Sequence, residues 1–575
     1  MALEVIMPKA GIDMTEGQIV KWNKKVGEFV KEGELLLEIM TDKTSMELEA
    51  EEDGYLLAIL KEDGETVPVT EIIGYLGAEG EQVPTGKSEV KKEEVVEEVA
   101  KVEKEVKVES KEVARDKKDV EYDTVVIGGG PAGYVAAIKA AQIGGKVAII
   151  EKDELGGTCL NRGCIPTKAY LHNAEIIEGV HNAANRGIMI ENSNISIDME
   201  KVLKMKNKVV KTLVGGVGAL LKSNKVDVFK GVGTINKDKN VVVGDKILTT
   251  NTIILAGGSK VSKINIPGIE SKLVMTSDDI LELNEVPETL AIIGGGVVGM
   301  ELGQVFSTFG SKVTVVEMMD RIVPAMDKEV SKTLQTLLSK KGMNILTATS
   351  LKEIIEENGK LRLKLDGKDD VIVDRALLSI GRVPDLEGMG EIEFELERGK
   401  IKVNEYMETS VPGIYAPGDI NGIKMLAHAA FRMGEVAAEN AIHGNKVKAK
   451  LQCTPSAIYT LPEVGSVGLT EEQAKEKYDI QIGRFNFAAN GRAIACDENH
   501  GFIKVIADKK YGEVLGVHII GPAAAEMINE AAALMEVEAT VEEVMKTIHG
   551  HPTYSEAMYE AYADVLNMSV HVMKK

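Results

Sequence analysis

One pattern occurs twice in this chain of 575 residues. Residues 122–127 are an apolar β-type run. They lead into Gly128-Gly129-Gly130-Pro131-Ala132-Gly133, an alanine-rich stretch with helical character (134–143), and a second apolar run (146–150) that closes with Glu151. Residues 289–293 lead in the same way into Gly294-Gly295-Gly296-Val297-Val298-Gly299, a helix over 300–309, a run at 312–316 and Glu317. A strand that feeds a glycine loop, a helix and a parallel strand is a βαβ unit. Its first glycine makes the turn, its second admits a pyrophosphate and its third lets helix meet strand. Phosphates sit on the helix N-terminus, where backbone N–H groups and the dipole favour an anion. Gly128, Gly130, Gly133 and Glu151 therefore mark one dinucleotide site, and Gly294, Gly296, Gly299 and Glu317 a second. Each acid falls where it can bind ribose hydroxyls. Glu317 would meet a 2′-phosphate as like charge, which favours NAD over NADP at the second site.

Five residues after Glu151 the chain reads GGTCLNRGCIPTK, residues 156–168. In a regular helix Cys159 and Cys164 would hold their Cα atoms about 8 Å apart, beyond the roughly 7 Å that a disulfide spans. A bridge here requires an irregular turn before a helix, which Gly163 and Pro166 can supply. Thiols at a helix N-terminus ionise more readily. The pair is read as a dithiol that cycles with its disulfide, next to a nucleotide site able to take its electrons.

These motifs resemble the two-dinucleotide flavoprotein disulfide reductases and, among them, the dihydrolipoyl dehydrogenases. The resemblance implies FAD at the first site and NAD at the second. It makes Cys159 the interchange thiol facing substrate and Cys164 the flavin-side thiolate. Lys168 would approach the flavin, with Glu301 as its ion-pair partner. Residues 253–259 resemble a later strand of the FAD domain and bring in Gly258; the family usually has Thr where Gly257 stands. Residues 379–384, SIGRVP, resemble the end of the NAD domain and bring in Gly381. TSVPGIYAPGDI, residues 409–420, matches the second FAD motif, with Asp419 on the ribitol chain. A helix beginning within 425–430, Ala427 included, would point its positive end at the flavin ring. The closing motif, His549-Gly550-His551-Pro552-Thr553-Tyr554-Ser555-Glu556, implies His551 as acid–base residue and Glu556 as its orienting carboxylate. Imidazole suits that work because it titrates near neutral pH. His549 is read as structural. In the family this motif completes the neighbouring subunit's site, so a homodimer is implied.

Ahead of the first fingerprint, residues 1–78 alternate short β-type runs (4–7, 35–39, 47–49, 55–60) with glycine turns. The pattern reads as a small β-sandwich or flattened barrel. Met40-Thr41-Asp42-Lys43-Thr44 resembles the hairpin tip of lipoyl domains, in which the lysine after Asp carries lipoate. Residues 79–119 turn to Glu, Lys and Val and lose their aromatics, as in flexible linkers. Val95, Val99, Val102 and Val106 leave only a weak helical trace.

The expected fold class is multidomain: an all-β lipoyl domain (1–78), a charged linker (79–119), then an α/β flavoprotein made of an FAD-binding domain (120–270), an NAD-binding domain (271–390) and a return to the FAD domain (391–452). An α+β dimerisation domain (453–575) ends it. A formal net charge of −22 argues against nucleic acid as a partner. No apolar run suggests a membrane span, the N-terminus lacks a signal-like core, and a lone cysteine pair fits the cytoplasm. No metal site is read, and Cys453 and Cys496 form no motif. The expected activity is oxidation of protein-bound dihydrolipoamide with reduction of NAD⁺. The partners would be a lipoyl-bearing acyltransferase and other components of a 2-oxo acid or acetoin dehydrogenase complex. The alternative is another FAD-dependent disulfide reductase with a carrier or docking domain.

Overall fold

The computed structural model describes residues 3–8, 16–31, 33–40, 45–50, 52–69, 71–78, 81, 120–190 and 195–573. The chain divides into two compact units, Met1–Ala114 and Arg115–Lys575.

The first unit holds two four-stranded antiparallel sheets. One runs Leu3–Ile6, Ile72–Gly77, Gly54–Ile59, Phe29–Val30; the other runs Ser45–Glu49, Leu35–Met40, Glu16–Trp22, Thr66–Pro68. Alternation of apolar and polar residues puts Ile19, Val30, Leu37, Ile39, Leu56, Val67 and Ile73 into one core. Trp22 closes it, its indole N–H donating to the Lys61 carbonyl at 2.9 Å. The strands at 16–22, 29–30, 66–68 and 72–77 are additional to the expected ones; three of these interleave charged or turn residues that dilute the period-2 signal. Lys43 lies outside the described residues. On either side of it Met40 and Ser45 are paired across adjacent antiparallel strands. The linker, Glu81 excepted, also lies outside the described residues, its valine trace included.

The second unit builds the repeat into two like sheets. The first has the order Asp227–Lys230, Val147–Glu151, Tyr122–Ile127, Thr250–Leu255, Ile414–Tyr415, parallel throughout. The second has the order Asn344–Leu346, Lys312–Val316, Thr289–Ile293, Arg375–Leu378, Val274–Met275, again parallel. Each is accompanied by a three-stranded antiparallel sheet, 233–248 and 351–373, so the duplication extends past the fingerprints. The strand Ile414–Tyr415 pairs with Ile253 and Ile254, which returns the chain to its first sheet after the second is complete. The helices Pro131–Gln142 and Ala427–His443 pack closely there. Ala136, Ala137 and Ala140 share a core with Ala429, Met433 and Ala437, and Ala132 packs with Ala430 and Gly434, so small side chains let the two backbones approach. Both fingerprint helices begin earlier than their apolar periodicity suggests, at Pro131 and Val297. Proline at the first helical position has no N–H to waste and a φ already suited to the turn.

A third, five-stranded antiparallel sheet runs Ser456–Ile458, Glu463–Gly468, Val514–Gly521, Phe502–Asp508, Ile480–Asn486. Its two central long strands are buried at every residue. Helices Ala524–Glu536 and Glu556–Val565 pack on it. No helix among the described residues is long and apolar enough to cross a membrane.

Candidate active site

The two glycine loops are built alike. In the first, one Glu151 carboxylate oxygen accepts the Gly129 N–H at 2.6 Å and the other the Asp153 N–H at 2.7 Å. In the second, Glu317 accepts the N–H groups of Gly295 and Met319, both at 2.6 Å. Burial raises the pKa of Glu151, and the Gly129 N–H works against it. The helices that follow have Gly130 and Gly296 as N-caps, with no capping side chain and no acid in the first turn. A Cβ built on Gly130 or Gly296 would meet nothing nearer than 3.8 and 4.0 Å. The free N–H groups and the space beside them fit a dinucleotide pyrophosphate at each loop. By contrast Gly128 has φ +100°, and a Cβ there would lie 2.3 Å from the Ala256 carbonyl oxygen.

The redox motif is laid directly on the first loop. Gly157 has φ +57°, and a Cβ on it would fall 2.6 Å from Gly130 Cα; the Gly156 N–H donates to the Gly129 carbonyl at 2.8 Å. Cys159 sits in the short helix Gly157–Arg162, and Cys164 is the first residue of the helix Cys164–Asn182. Gly163 between them leaves helical geometry at φ −137°, ψ −109°, the irregular turn that the spacing demands. Both cysteines are thiols and are hydrogen-bonded to each other. They do not ionise alike. The hydrogen bond from Cys159, aided by the Lys168 charge and its own N–H, outweighs burial and brings Cys164 down to about 7. Cys159 is held well above the usual thiol range by donating to Cys164 and by burial.

One helical turn on, Lys168 Nζ lies 3.1 and 2.9 Å from the two carboxylate oxygens of Glu301. Glu301 belongs to the second fingerprint helix and is buried. It also accepts the Tyr459 N–H at 2.9 Å, and Lys168 Nζ stands 4.3 Å from the centre of the Tyr459 ring. Asp419 accepts the Ser259 hydroxyl at 2.6 Å. Arg382 then donates to the Ser259 hydroxyl at 2.8 Å, to its carbonyl at 2.7 Å and to the Thr158 hydroxyl at 3.4 Å. This chain of contacts joins Gly258 and Gly381, both at positive φ, to the residue next to Cys159. Ala427 is the first residue of its helix, which has no capping side chain and no acid in its first turn. A Cβ on Gly257 would lie 2.7 Å from the Asp385 carbonyl oxygen, so the family's usual Thr would not fit this backbone. Tyr459, Ser259, Arg382 and Thr158 are additional to the residues that the motifs bring out. Arg382 lies inside SIGRVP, while Tyr459 sits in an apolar run with no pattern to mark it.

His551 Nδ1 lies 2.7 Å from Glu556 Oε1, with 78% of its side chain exposed. His549, two residues earlier, is half-buried and paired with Glu530 at 2.8 Å. Within one chain the structure brings together the thiols, the first glycine loop, Lys168, Glu301 and Asp419, and leaves the His551–Glu556 pair on the surface.

Residues 122–434 match the family described as pyridine nucleotide-disulphide oxidoreductase. The chain belongs to that family. The match to this oxidoreductase family continues over 454–562 with its dimerisation domain, which supports a homodimer, and residues 3–76 match the domain described as biotin-requiring enzyme. A dihydrolipoyl dehydrogenase of Bacillus subtilis (strain 168) is 39% identical over 474 residues, 78% of this chain and 99% of that protein. The mitochondrial dihydrolipoyl dehydrogenase of Pisum sativum is 41% identical over 469 residues, 79% of this chain and 93% of the relative. Among solved structures, the HOCl-induced flavoprotein disulfide reductase RclA from Escherichia coli superposes with a TM-score of 0.69 at 27% identity, over 77% of this oxidoreductase and 99% of RclA.

Proposed function

We propose that the chain is an FAD- and NAD-dependent dihydrolipoyl dehydrogenase that oxidises protein-bound dihydrolipoamide within a dehydrogenase complex, as a homodimer. The observation that carries the reading is the placing of the two thiols. Cys159 lies in the short helix whose Gly157 meets the first glycine loop, and Cys164 heads the next helix, one turn before the Lys168–Glu301 pair. A bound flavin supplies a carrier that takes an electron pair from a dithiolate and passes it to nicotinamide as hydride. The first loop with Glu151, Asp419 and the helix at Ala427 would hold it, and the second loop with Glu317 would hold NAD.

The protein groups divide the remaining work. In the oxidised enzyme Cys159 and Cys164 form a disulfide. A substrate thiolate attacks the Cys159 sulfur, which forms a mixed disulfide and releases Cys164 as thiolate. The second substrate thiol then displaces Cys159. The products are the substrate disulfide and the Cys159–Cys164 dithiol, so two electrons have moved from substrate to protein. His551, oriented by Glu556, takes the substrate thiol proton. Lys168 balances the negative charge at Cys164, and Glu301 holds Lys168 in place.

The first unit adds a carrier. Lys43 would bear lipoate on an amide link, and the segment 79–119 would tie that arm to the catalytic unit. The partners would be a lipoyl-bearing acyltransferase and its associated 2-oxo acid or acetoin dehydrogenase components, in the cytoplasm, where free thiols persist. The test is NAD⁺ reduction by dihydrolipoamide, with oxidised glutathione and NADPH as the competing pair. Faster turnover of glutathione would overturn the reading. The mass of the chain isolated from its own cells should include one lipoyl group.

A further inference from the structure

Lys168 is held from three directions by groups that come from three parts of the fold. Its own helix starts at Cys164; Glu301 comes from the second fingerprint helix; Tyr459 follows the first strand of the C-terminal sheet. The carboxylate fixes the ammonium by two short contacts. Tyr459 acts on both members of the pair. Its N–H anchors Glu301 at 2.9 Å, and its ring presents a face to Lys168 Nζ at 4.3 Å. A cation over an aromatic face is attracted by the ring quadrupole, and the attraction grows as water is excluded. The ring itself packs against the core that contains Met300, Leu302 and Phe306, so it cannot swing away without opening that core.

We infer that Tyr459 is a positioning residue for the redox centre: its ring and backbone N–H together fix the Lys168–Glu301 pair beside Cys164. This rests on the reading of Cys164 as the thiolate next to a flavin. The groups that act on Cys164 are few: the Cys159 thiol, Lys168, its own N–H, and Glu301, which opposes them. Those around the Tyr459 hydroxyl are Lys168, Glu463, Glu301 and Glu526, and burial keeps that phenol neutral. Without the ring, Lys168 keeps its ion pair but loses the surface that fixes its angle, and its charge is free to turn toward solvent. The thiolate then loses part of its stabilisation. The phenolic oxygen has no part in this, so phenylalanine should do as well as tyrosine.

The test uses the full-length holoprotein carrying Cys159→Ser, in which a lone Cys164 thiolate beside oxidised FAD gives a long-wavelength charge-transfer band. That band is titrated with pH in four backgrounds: Tyr459, Tyr459→Phe, Tyr459→Leu and Tyr459→Met. The Leu and Met variants should lose the band at a pH about half a unit or more higher than the parent, with FAD content and melting temperature recorded alongside. The Phe variant should titrate with the parent. Met preserves apolar volume against the core, so it reports on the ring if Leu loosens the fold. Titration of Leu and Met with the parent, or a Phe variant that shifts as far as they do, overturns the role of the ring and leaves the activity assignment standing. A parent with no band overturns both.

Discussion

Nδ1 of His551 lies 2.7 Å from Oε1 of Glu556, and the other Glu556 oxygen accepts the Thr553 N–H at 2.8 Å. Burial works to raise the Glu556 carboxyl, but the Thr553 N–H and His551 outweigh it and hold it below its ordinary value of 4.5. The carboxylate thus fixes the ring and leaves the other nitrogen free for substrate. Replacing His551 by Gln should cut dihydrolipoamide turnover by about 10²-fold or more while FAD stays bound. Glu556→Gln should lose less, because the ring remains and only its orientation suffers. Steady-state turnover at saturating NAD⁺ checks both, and an unimpaired His551→Gln enzyme would remove the dyad from the mechanism.

The two thiols should be distinguishable by colour. Cys159→Ser should keep a charge-transfer band from Cys164, and Cys164→Ser should lack one. The Cys159 hydrogen bond and Lys168 both lower Cys164 against burial. The Ser variant loses the Cys159 thiol and keeps Lys168, so its band should fade as pH falls, because protonation removes the donor electron pair, and should do so at a higher pH than Cys164 titrates in the dithiol enzyme. Equal spectra from the two variants would reverse the assignment.

Glu317 tightens the second loop through Gly295 and Met319, and in the proposed reading it would also face the adenine ribose. Glu317→Ser combined with Met318→Arg, at a side chain that is already exposed, should raise the NADP-to-NAD ratio of kcat/KM by about tenfold or more. NAD efficiency should fall in the same variant, since the loop loses its clamp. An unchanged ratio, measured as initial rates with each coenzyme, would count against Glu317 as the discriminating group.

A buried ion cluster joins the second fingerprint domain to the C-terminal sheet. Lys504 Nζ lies 3.0 Å from Asp327 and 2.5 Å from Glu471, with both Lys504 and Asp327 almost fully buried. Removing the cation strands Asp327 and takes a partner from Glu471 and Glu329. Lys504→Met should destabilise the unit by about 3–5 kcal/mol in denaturant titration. Burial works to raise the Asp327 carboxyl, yet His518 and Lys504 bring it below its ordinary value of 3.8. Burial also depresses His518. A depressed acid stabilises above its unfolded value and loses that contribution as pH falls through the folded one. The cluster should therefore hold at neutral pH and weaken only below about pH 4.

The division of the chain at 114/115 bears on the carrier. Removal of residues 1–119 should leave FAD binding, dimerisation and oxidation of free dihydrolipoamide nearly unchanged. Oxidation of acyltransferase-bound groups should slow if the arm relays electrons or docks the enzyme, since a tether that spans the sites raises local concentration to roughly millimolar. A large loss on the free substrate would place the first unit inside the catalytic architecture.

Glycine spacing, the cysteine pair and the closing His-Gly-His-Pro motif are local in sequence, and their chemistry is legible there. Strands 122–127, 289–293 and 312–316 fall where the apolar runs put them, because buried parallel strands need unbroken apolar runs. The irregular step at Gly163 also follows from the Cys159–Cys164 spacing. What the tertiary structure alone decided is which distant groups meet. Tyr459 reaches Lys168 and Glu301 across gaps of 291 and 158 residues (459 − 168, 459 − 301), and Arg382 reaches Thr158 across 224. No periodicity encodes such pairs, since they depend on how three sheets dock. The unequal ionisation of the thiols has the same origin. Cys159 and Cys164 are one residue type with one intrinsic acidity. A hydrogen bond between them, and a lysine one turn beyond Cys164, set them apart only once the helix is folded.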